Sequence, residues 1–226
     1  QVAAHQPPIV ITALGSPKPV MPTVQGYGEL VFADVISETL AKKAADAGVD
    51  GLVLVCSGAG GHTGELSPLV FVERVRRFFD GYIALAGAIN TGEAILAAEV
   101  LGADFGYVGT AFIPTHESLA EDAYRQMLVD SGPGDLMVTR AFTGARASML
   151  KPSMVAQGLD PAELETKVAK MNFTGRQNEE VKPWKGIWGA GQGVGRIERV
   201  EPVAAVVDRL AAEAAAARAR CRELCA

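Results

Sequence analysis

Short apolar runs alternate along this chain with segments whose apolar residues recur at helical spacing. Continuous runs of β-branched and other apolar residues are typical of strands in a parallel sheet that is covered on both faces. Such runs begin roughly 20 to 30 residues apart, which is the spacing of β/α units with right-handed crossovers. They predict five strands: Ile9–Leu14, Leu30–Ala33, Gly51–Cys56, Tyr82–Ala86 and Phe105–Val108.

The segments between these strands have the apolar periodicity of helices that pack on a sheet. Gly48 and Gly102 are suitable residues to end two of them, and Thr91 is a suitable N-cap for the last. The predicted helices are Glu38–Ala47, Phe71–Phe79 and Glu93–Leu101.

Beyond the fifth strand the regular alternation is lost. Asp160 is a suitable N-cap and Pro161 is a suitable first-turn residue, so together they predict the start of a helix. We expect that helix to reach about Met171. The remaining predictions are a helix over Ser118–Val129, a strand over Asp135–Thr139, a loop over Asn172–Gln192 and a helix over Pro202–Glu223.

Repeated β/α units are compatible with two architectures, a doubly wound sheet and a (β/α)8 barrel. Gly-rich turns follow several strands rather than one, which favours the barrel. Five strands cannot close a barrel by themselves, so both architectures remain open on this evidence.

Composition excludes several classes of function. The formal net charge is −5 and the pI is about 5.3, whereas nucleic acid and anionic membranes attract basic surfaces. No apolar run approaches the ~18 residues of a membrane span. The three cysteines form no C-x-x-C pair, so we predict neither a disulfide framework nor a metal site. No secretory signal pattern opens the chain, which favours a cytoplasmic location.

The first candidate for chemistry is the Gly-rich turn Ser57–Gly64, directly after the third predicted strand. Glycines let the backbone approach a ligand closely, and Gly60 and Gly61 precede the turn's one histidine. That residue, His62, could act as an acid or base near neutral pH. The turn lacks the Lys-Ser/Thr end of a P-loop. The alternative is a flexible turn with a surface histidine.

Two further turns follow the next two strands. Gly87 and Ala88 precede a helix start, where backbone N–H groups and the helix dipole favour a phosphate. Gly109 and Thr110 end the following strand, and in barrels a phosphate site commonly lies between the last two strands. Ordinary βα turns are the alternative for each.

The segment Trp184–Gly195 is the last candidate. Its glycines alternate, so it does not satisfy G-x-G-x-x-G, and a dinucleotide-binding turn is disfavoured. A loop that covers a ligand fits better and would use Gly191 and Gln192. The alternative is a structural turn that leads to the C-terminal helix.

Several of these segments, taken in order, resemble the nitronate monooxygenase family, formerly called 2-nitropropane dioxygenases. The resemblance extends over nearly the whole chain, because order and spacing both match. Its landmarks are Ala47–Leu52, Gly58–Gly64, Leu85–Ile89, Leu101–Phe112, Phe142–Gly144 and Gly189–Ile197.

This resemblance implies a TIM barrel that binds FMN non-covalently. The phosphate would lie on the turns at Gly87-Ala88 and Gly109-Thr110. His62 matches the active-site histidine, which removes a proton from the substrate. Gly60 and Gly61 would let the flavin and substrate approach, and Gly191 and Gln192 would cover the cofactor. The implied reaction uses O2 to oxidise an alkyl nitronate, a small molecule, to a carbonyl compound and nitrite.

The chain also departs from the family pattern. It lacks a counterpart of the first three β/α units, so Ile9–Leu14 would be barrel strand four. We therefore expect residues 1–226 to be one FMN-binding domain that contributes strands four to eight and, from about residue 145, a helical tail. Its missing partner would be the N-terminal part of the barrel. Some members place a lysine at the end of strand five, where this chain has Asp34.

Related flavoenzymes provide the nearest alternatives. FMN-dependent enoyl-ACP reductases share the barrel and a similar G-G-H loop, and acyl-CoA-linked flavin dehydrogenases belong to the same superfamily. An alternative of another class is a non-catalytic half-barrel, acting as a partner subunit or as a module that binds a phosphate ligand. Whether the protein is a homodimer is left open.

Overall fold

The computed structural model describes residues 1–169 and 186–224. Most of the predicted loop over Asn172–Gln192, and the last residues of the helix predicted to reach Met171, lie outside those ranges.

The chain divides into two compact units. Unit 1 comprises Gln1–Ser57, Gly64–Ala86 and Ala97–Tyr107, and unit 2 comprises Gly58–Thr63, Gly87–Leu96 and Val108–Ala226.

The described residues form strands β1 (Ile9–Thr12), β2 (Leu30–Val35), β3 (Gly51–Val55), β4 (Gly61–His62), β5 (Tyr82–Ala86), β6 (Phe105–Tyr107), β7 (Leu136–Thr139) and β8 (Ala147–Leu150). The helices are α1 (Val2–His5), α2 (Met21–Gln25), α3 (Glu38–Ala45), α4 (Pro68–Arg76), α5 (Gly92–Leu101), α6 (Asp122–Asp130), α7 (Lys151–Ala156), α8 (Pro161–Leu164) and α9 (Val203–Leu224). Short 3₁₀ turns cover Thr110–Phe112, Pro133–Asp135 and Gln192–Arg196.

A five-stranded parallel sheet forms the centre of unit 1. Its order is β1-β2-β3-β5-β6, and every neighbouring pair is parallel. All five predicted strands are confirmed, with ends that differ by two residues or fewer. The central strand β3 is buried at every position, which explains why its sequence is a continuous apolar run.

Two aspartates tie neighbouring strands of this sheet together at their amino ends. Val31 N–H donates to Asp50 Oδ2 at 2.8 Å, and Ile83 N–H donates to Asp104 Oδ2 at 2.7 Å. Arg76 Nη2 also donates to Asp104 Oδ2, at 2.6 Å. These charge-assisted bonds satisfy strand-end N–H groups that the ladder leaves unpaired.

One face of the unit 1 sheet carries large exposed apolar side chains. The Phe32 and Tyr82 rings stack with centroids 6.1 Å apart, and the Tyr82 and Phe105 rings are tilted at 5.9 Å. Tyr82, Phe105 and Tyr107 are 46%, 49% and 43% exposed, and Ile11 is 42% exposed. Parallel sheets are ordinarily covered on both faces, so this face has the composition of a buried surface.

Asp34 lies on the same face, two residues after Phe32 on β2. Burial raises the pKa of its carboxyl group from 3.8 to about 6, and its Oδ1 atom has no hydrogen-bond partner among the described residues. The folded chain therefore holds this proton more tightly than the unfolded chain does. Protonated Asp34 therefore makes its full contribution to the free energy of unfolding below about pH 4, and this contribution is lost as the pH rises through 6.

We expect Asp34→Asn to raise the free energy of unfolding at pH 7.5 by on the order of 2 kcal/mol, because the amide carries no charge to desolvate. The gain should disappear near pH 4, where the wild-type carboxyl group is itself neutral in the folded chain. Urea denaturation at the two pH values measures this difference, with the exposed Asp80→Asn as control. An equal effect at both pH values would contradict burial as the cause.

Unit 2 contains an antiparallel sheet of order β4-β8-β7. The predicted strand over Asp135–Thr139 is confirmed as β7. The expectation of a helical tail from about residue 145 is wrong at its start, because Ala147–Leu150 forms β8. All four residues of β8 are buried, and they pair with β7 and with β4. The four residues Ala147-Ser148-Met149-Leu150 show no alternation of apolar and polar positions from which a strand and its partners could be predicted.

The helix predicted from Asp160 to about Met171 is also much shorter. Asp160 does cap it, since Ala162 N–H donates to its Oδ1 atom at 2.9 Å, but α8 ends at Leu164. Arg140 and Val168 then form an isolated bridge, so extended backbone replaces the predicted helix. The long C-terminal helix is confirmed as α9, and none of the described helices is long and apolar enough to cross a membrane.

Candidate functional site

All nine predicted site residues lie in unit 2, on four segments that are far apart in the sequence. The residues are Gly60, Gly61, His62, Gly87, Ala88, Gly109, Thr110, Gly191 and Gln192. Direct hydrogen bonds and close backbone contacts connect these segments, as described below. The structure therefore brings the four candidate turns together.

The carbonyl group of Gly58 joins three of the segments. It accepts from Gln192 N–H at 2.9 Å and from Ala88 N–H at 3.3 Å. The side chain of Gln192 lies next to the same residue, because a Cβ atom on Gly58 would be 2.9 Å from Gln192 Oε1. One backbone carbonyl thus fixes the spacing of the turns after β3 and β5 and of the 3₁₀ turn at Gln192.

Gly60 and Gly191 are required by close packing of the backbone. A Cβ atom on Gly60 would lie 2.6 Å from Gly191 N, and one on Gly191 would lie 2.7 Å from Gly58 O. Gly191 N–H also donates to Thr110 Oγ1 at 3.0 Å, which connects the fourth segment. The two glycines therefore have a structural explanation within unit 2, and their predicted contact with a cofactor stays a prediction.

The turn at Gly87 and Ala88 has an unusual backbone conformation. The φ values of these consecutive residues are 124° and 57°, and a positive φ is uncommon for alanine. Such turns can direct successive N–H groups into one concavity that suits an anion. Because the Ala88 N–H group already donates to Gly58, the predicted phosphate role depends on the shape of the turn rather than on that group.

Gly109 and Thr110 differ from the closely packed glycines. A Cβ atom on Gly109 would meet no atom within 4 Å, so the space in front of this residue is open. The Thr110 hydroxyl oxygen accepts from Gly191 N–H, and its own proton can still be donated to a ligand oxygen. Open space beside a hydroxyl donor is compatible with a bound phosphate group.

His62 lies on β4, which pairs with β8 so that His62 faces Ala147 in the register. Its Nε2 atom is 3.2 Å from Thr143 Oγ1. The side chain is half-buried, and burial lowers the pKa of the imidazole below its ordinary value of 6.5. The ring is therefore predominantly neutral at pH 7, which is the form that can accept a proton.

Two further residues of the site were missed by sequence reasoning. Asn90 is 3% exposed, and its Nδ2 atom donates to Gly193 O at 2.7 Å, which ties the turn after β5 to the 3₁₀ turn at Gln192. Glu213 on α9 accepts from Gly92 N–H at 2.8 Å. An asparagine after a strand and a glutamate in an Ala-rich helix carry no signal of such distant partners.

The Glu213 contact corrects one sequence expectation. The amino end of α5 was expected to help bind a phosphate, but the N–H group of its first residue is paired with this carboxylate. Arg196 and Arg209 lie 3.5 and 3.6 Å from Glu213 Oε1, so a charged cluster occupies this helix end. The first N–H group of α5 is therefore not available to an anion at this turn.

No group of three or more His, Cys, Asp and Glu side chains that could hold a metal ion occurs in the described part of the chain.

Comparisons of this sequence with known proteins agree on one family. The model of the family described as nitronate monooxygenase matches residues 1–213. Rv1533 of Mycobacterium tuberculosis is 28% identical over 218 residues, which are 90% of this chain and 58% of that protein. A nitronate monooxygenase of Paraburkholderia phytofirmans is 30% identical over 171 residues, which are 71% of this chain and 47% of that protein. The chain thus spans about half the length of these relatives.

Solved structures agree with these matches. A nitroalkane oxidase from Streptomyces ansochromogenes is 28% identical, with a TM-score of 0.79 over 97% of this chain and 67% of that one. FabK from Thermotoga maritima has a TM-score of 0.78 over 99% of this chain and 73% of that one, and its 23% identity supports the fold alone. Together with the parallel sheet of unit 1, these likenesses confirm the predicted α/β, TIM-barrel fold class.

Proposed function

Because this chain belongs to the nitronate monooxygenase family, we propose that it forms the cofactor turns and the catalytic base of an FMN-dependent enzyme. The reaction is the oxidation of alkyl nitronates, or of the nitroalkanes that yield them, by O2 to a carbonyl compound and nitrite. The observation that carries the proposal is the convergence of the four turns in unit 2, with neutral His62 on one of them.

The residues present fit an FMN phosphate at the turns after β5 and β6. The open space at Gly109, the available hydroxyl proton of Thr110 and the left-handed turn at Gly87 and Ala88 would hold it. When bound, FMN supplies the acceptor for the electrons of the substrate. Gly60, Gly61, Gly191 and Gln192 form the adjoining backbone, and we propose that they border the cofactor.

His62 is the residue that we propose to handle the proton. A neutral nitroalkane must lose the hydrogen of its α-carbon as a proton before it becomes a nitronate. A half-buried, neutral imidazole can accept that proton, and burial keeps it neutral at working pH. A substrate supplied as the nitronate has already lost the proton and does not need this step.

We also propose that the exposed apolar face of the unit 1 sheet is covered by further β/α units that complete the barrel. The face carries Ile11, Tyr82, Phe105 and Tyr107, all at least 42% exposed. The longer relatives described above have the length for additional units. In this arrangement the five parallel strands are barrel strands four to eight.

The test is the visible absorption spectrum of the purified protein in its longest natural form. We expect an oxidised-flavin spectrum that bleaches on anaerobic addition of ethyl nitronate, with nitrite released on turnover in air. Bleaching by NAD(P)H but not by nitronate would instead favour an enoyl-ACP or acyl-CoA reductase. No bound flavin, even after FMN is added, would contradict the proposal and favour a non-catalytic module.

A further inference from the structure

A small cavity of unit 2, which we call the arginine cavity, is lined by Arg196, Arg199 and Arg209. Ala111 and Pro114 add apolar atoms to its wall, and its volume is about 80 Å³. One water molecule needs roughly 10–15 Å³ measured in this way, so the cavity has room for a small polyatomic group. The nine candidate site residues, all within the described part of the chain, are not among those that line it.

Segments that are separate in the sequence position the three guanidinium groups. Arg196 is the last residue of a 3₁₀ turn, Arg199 follows three residues later, and Arg209 lies on α9. Between them Glu201 forms an isolated parallel bridge with Thr115, which fixes its backbone. The cavity is therefore built by tertiary packing within unit 2.

Two glutamates hold the arginines in place. Glu201 carboxylate oxygens lie 3.3 Å from Arg199 Nη2 and 3.6 Å from Arg209 Nη2. Glu213 Oε1 lies 3.5 Å from Arg196 Nη2 and 3.6 Å from Arg209 Nη1. The side chains of the two glutamates are only 14% and 20% exposed, so the carboxylates form a partly buried support for the guanidinium groups.

These ion pairs leave guanidinium donors for a ligand. Hydrogen-bonded pairs of an N–H cation and an oxygen anion are typically about 2.7–2.9 Å long, and all four contacts are longer. Each guanidinium carries several N–H donors and no acceptor, whereas each contact involves one terminal nitrogen. The positive charges of the three arginines also exceed the charges of the two supporting glutamates.

We propose that the arginine cavity binds a phosphate group, either as free inorganic phosphate or as the terminal group of a phosphate monoester. The planar fork of a guanidinium matches the spacing of phosphate oxygens. A terminal phosphate offers an oxygen to each of the three arginines, whereas a carboxylate has only two oxygens to share among them. Arg196 and Arg199 are exposed, so the organic part of a monoester would remain in solvent.

Glu198 also lines the cavity and is the negative charge that a bound phosphate would meet. Its side chain is exposed, so water reduces the repulsion without removing it. Glu198→Gln should therefore strengthen phosphate binding, whereas loss of an arginine should weaken it. A gain of affinity cannot result from a variant that fails to fold.

The test is isothermal titration calorimetry of the longest natural form with inorganic phosphate at constant ionic strength. We expect saturable binding that Arg199→Gln weakens about tenfold or more, the size of one lost hydrogen bond to a charged group. Glu198→Gln should strengthen it a few-fold. Arg77→Gln removes an exposed arginine of unit 1 and should leave the affinity unchanged.

Absence of saturable binding, or equal affinity in the native protein and Arg199→Gln, overturns the proposal; equal affinity would mean that phosphate binds at another place, such as the turns after β5 and β6. Titration with adenosine monophosphate distinguishes the two sources. Tighter binding than inorganic phosphate, with the same dependence on Arg199, supports a monoester, and weaker binding with that dependence supports free phosphate. Neither flavin nor turnover is measured, so failure of the proposed function would leave this result intact.

Discussion

His62→Ala is expected to slow the turnover of neutral nitroalkanes by about 10² to 10⁴-fold, the range that a general base contributes. The physical reason is that no other imidazole is placed at the convergent turns of unit 2, and water is a far weaker base at pH 7. Pre-formed nitronate should be affected much less, because its proton has already left. Steady-state rates with nitroethane and ethyl nitronate measure the difference.

FMN retention provides the internal control for this variant. The His62 side chain is not among the groups that we propose to hold the phosphate, so the flavin content should be unchanged. His116→Ala removes an exposed histidine of unit 2 and serves as the matched variant. Unchanged nitroalkane turnover in His62→Ala would refute the base role, and an equal loss on both substrates would assign His62 a role other than proton removal.

Gly109→Val is expected to weaken FMN binding by about 10 to 100-fold. Forcing extra atoms into an occupied space costs about 1–3 kcal/mol, and each 1.4 kcal/mol is a factor of ten in affinity. In the protein itself, a Cβ atom at Gly109 meets no atom within 4 Å, so the chain should accommodate the substitution. The loss would therefore report the ligand and not the fold. Fluorescence titration of the apoprotein with FMN measures it.

Gly134→Val is the matched control, since a Cβ atom there also meets nothing within 4 Å, and the residue lies in a 3₁₀ turn of unit 2. It should leave FMN affinity unchanged. Full flavin retention in Gly109→Val would mean that the phosphate lies elsewhere. Gly60 and Gly191 are unsuitable for the same test, because a Cβ atom on either would collide with backbone and disturb the turns first.

The strands of unit 1 were predictable because their signal is local. A buried parallel strand must be apolar at nearly every position, and β3 satisfies this at all five. Tyr82–Ala86 was predicted with both ends correct, and the other strands differ only at their ends, where pairing stops. The candidate turns could be located in the same way, since each follows a strand and is rich in glycine.

The antiparallel sheet of unit 2 was not predictable from local pattern. Its strand β4 has two residues, Gly61 and His62, and its central strand β8 has four. Two residues are too few to show a period of two, and the four residues of β8, Ala-Ser-Met-Leu, do not alternate between apolar and polar. Their pairing brings together residues more than eighty positions apart, as the His62–Thr143 contact shows.

The sequence alone thus determined the α/β class, the strand–turn–helix order and the positions of His62 and the Gly-rich turns, because each depends on neighbouring residues. Only the tertiary structure decided how those turns are used. It assigned Gly60 and Gly191 to close backbone packing, paired the Ala88 N–H group with Gly58, placed Glu213 on the first amide of α5 and set Thr143 against His62. The physical reason is that a hydrogen-bond partner is chosen by which distant segments pack together, and residue type alone does not carry that information.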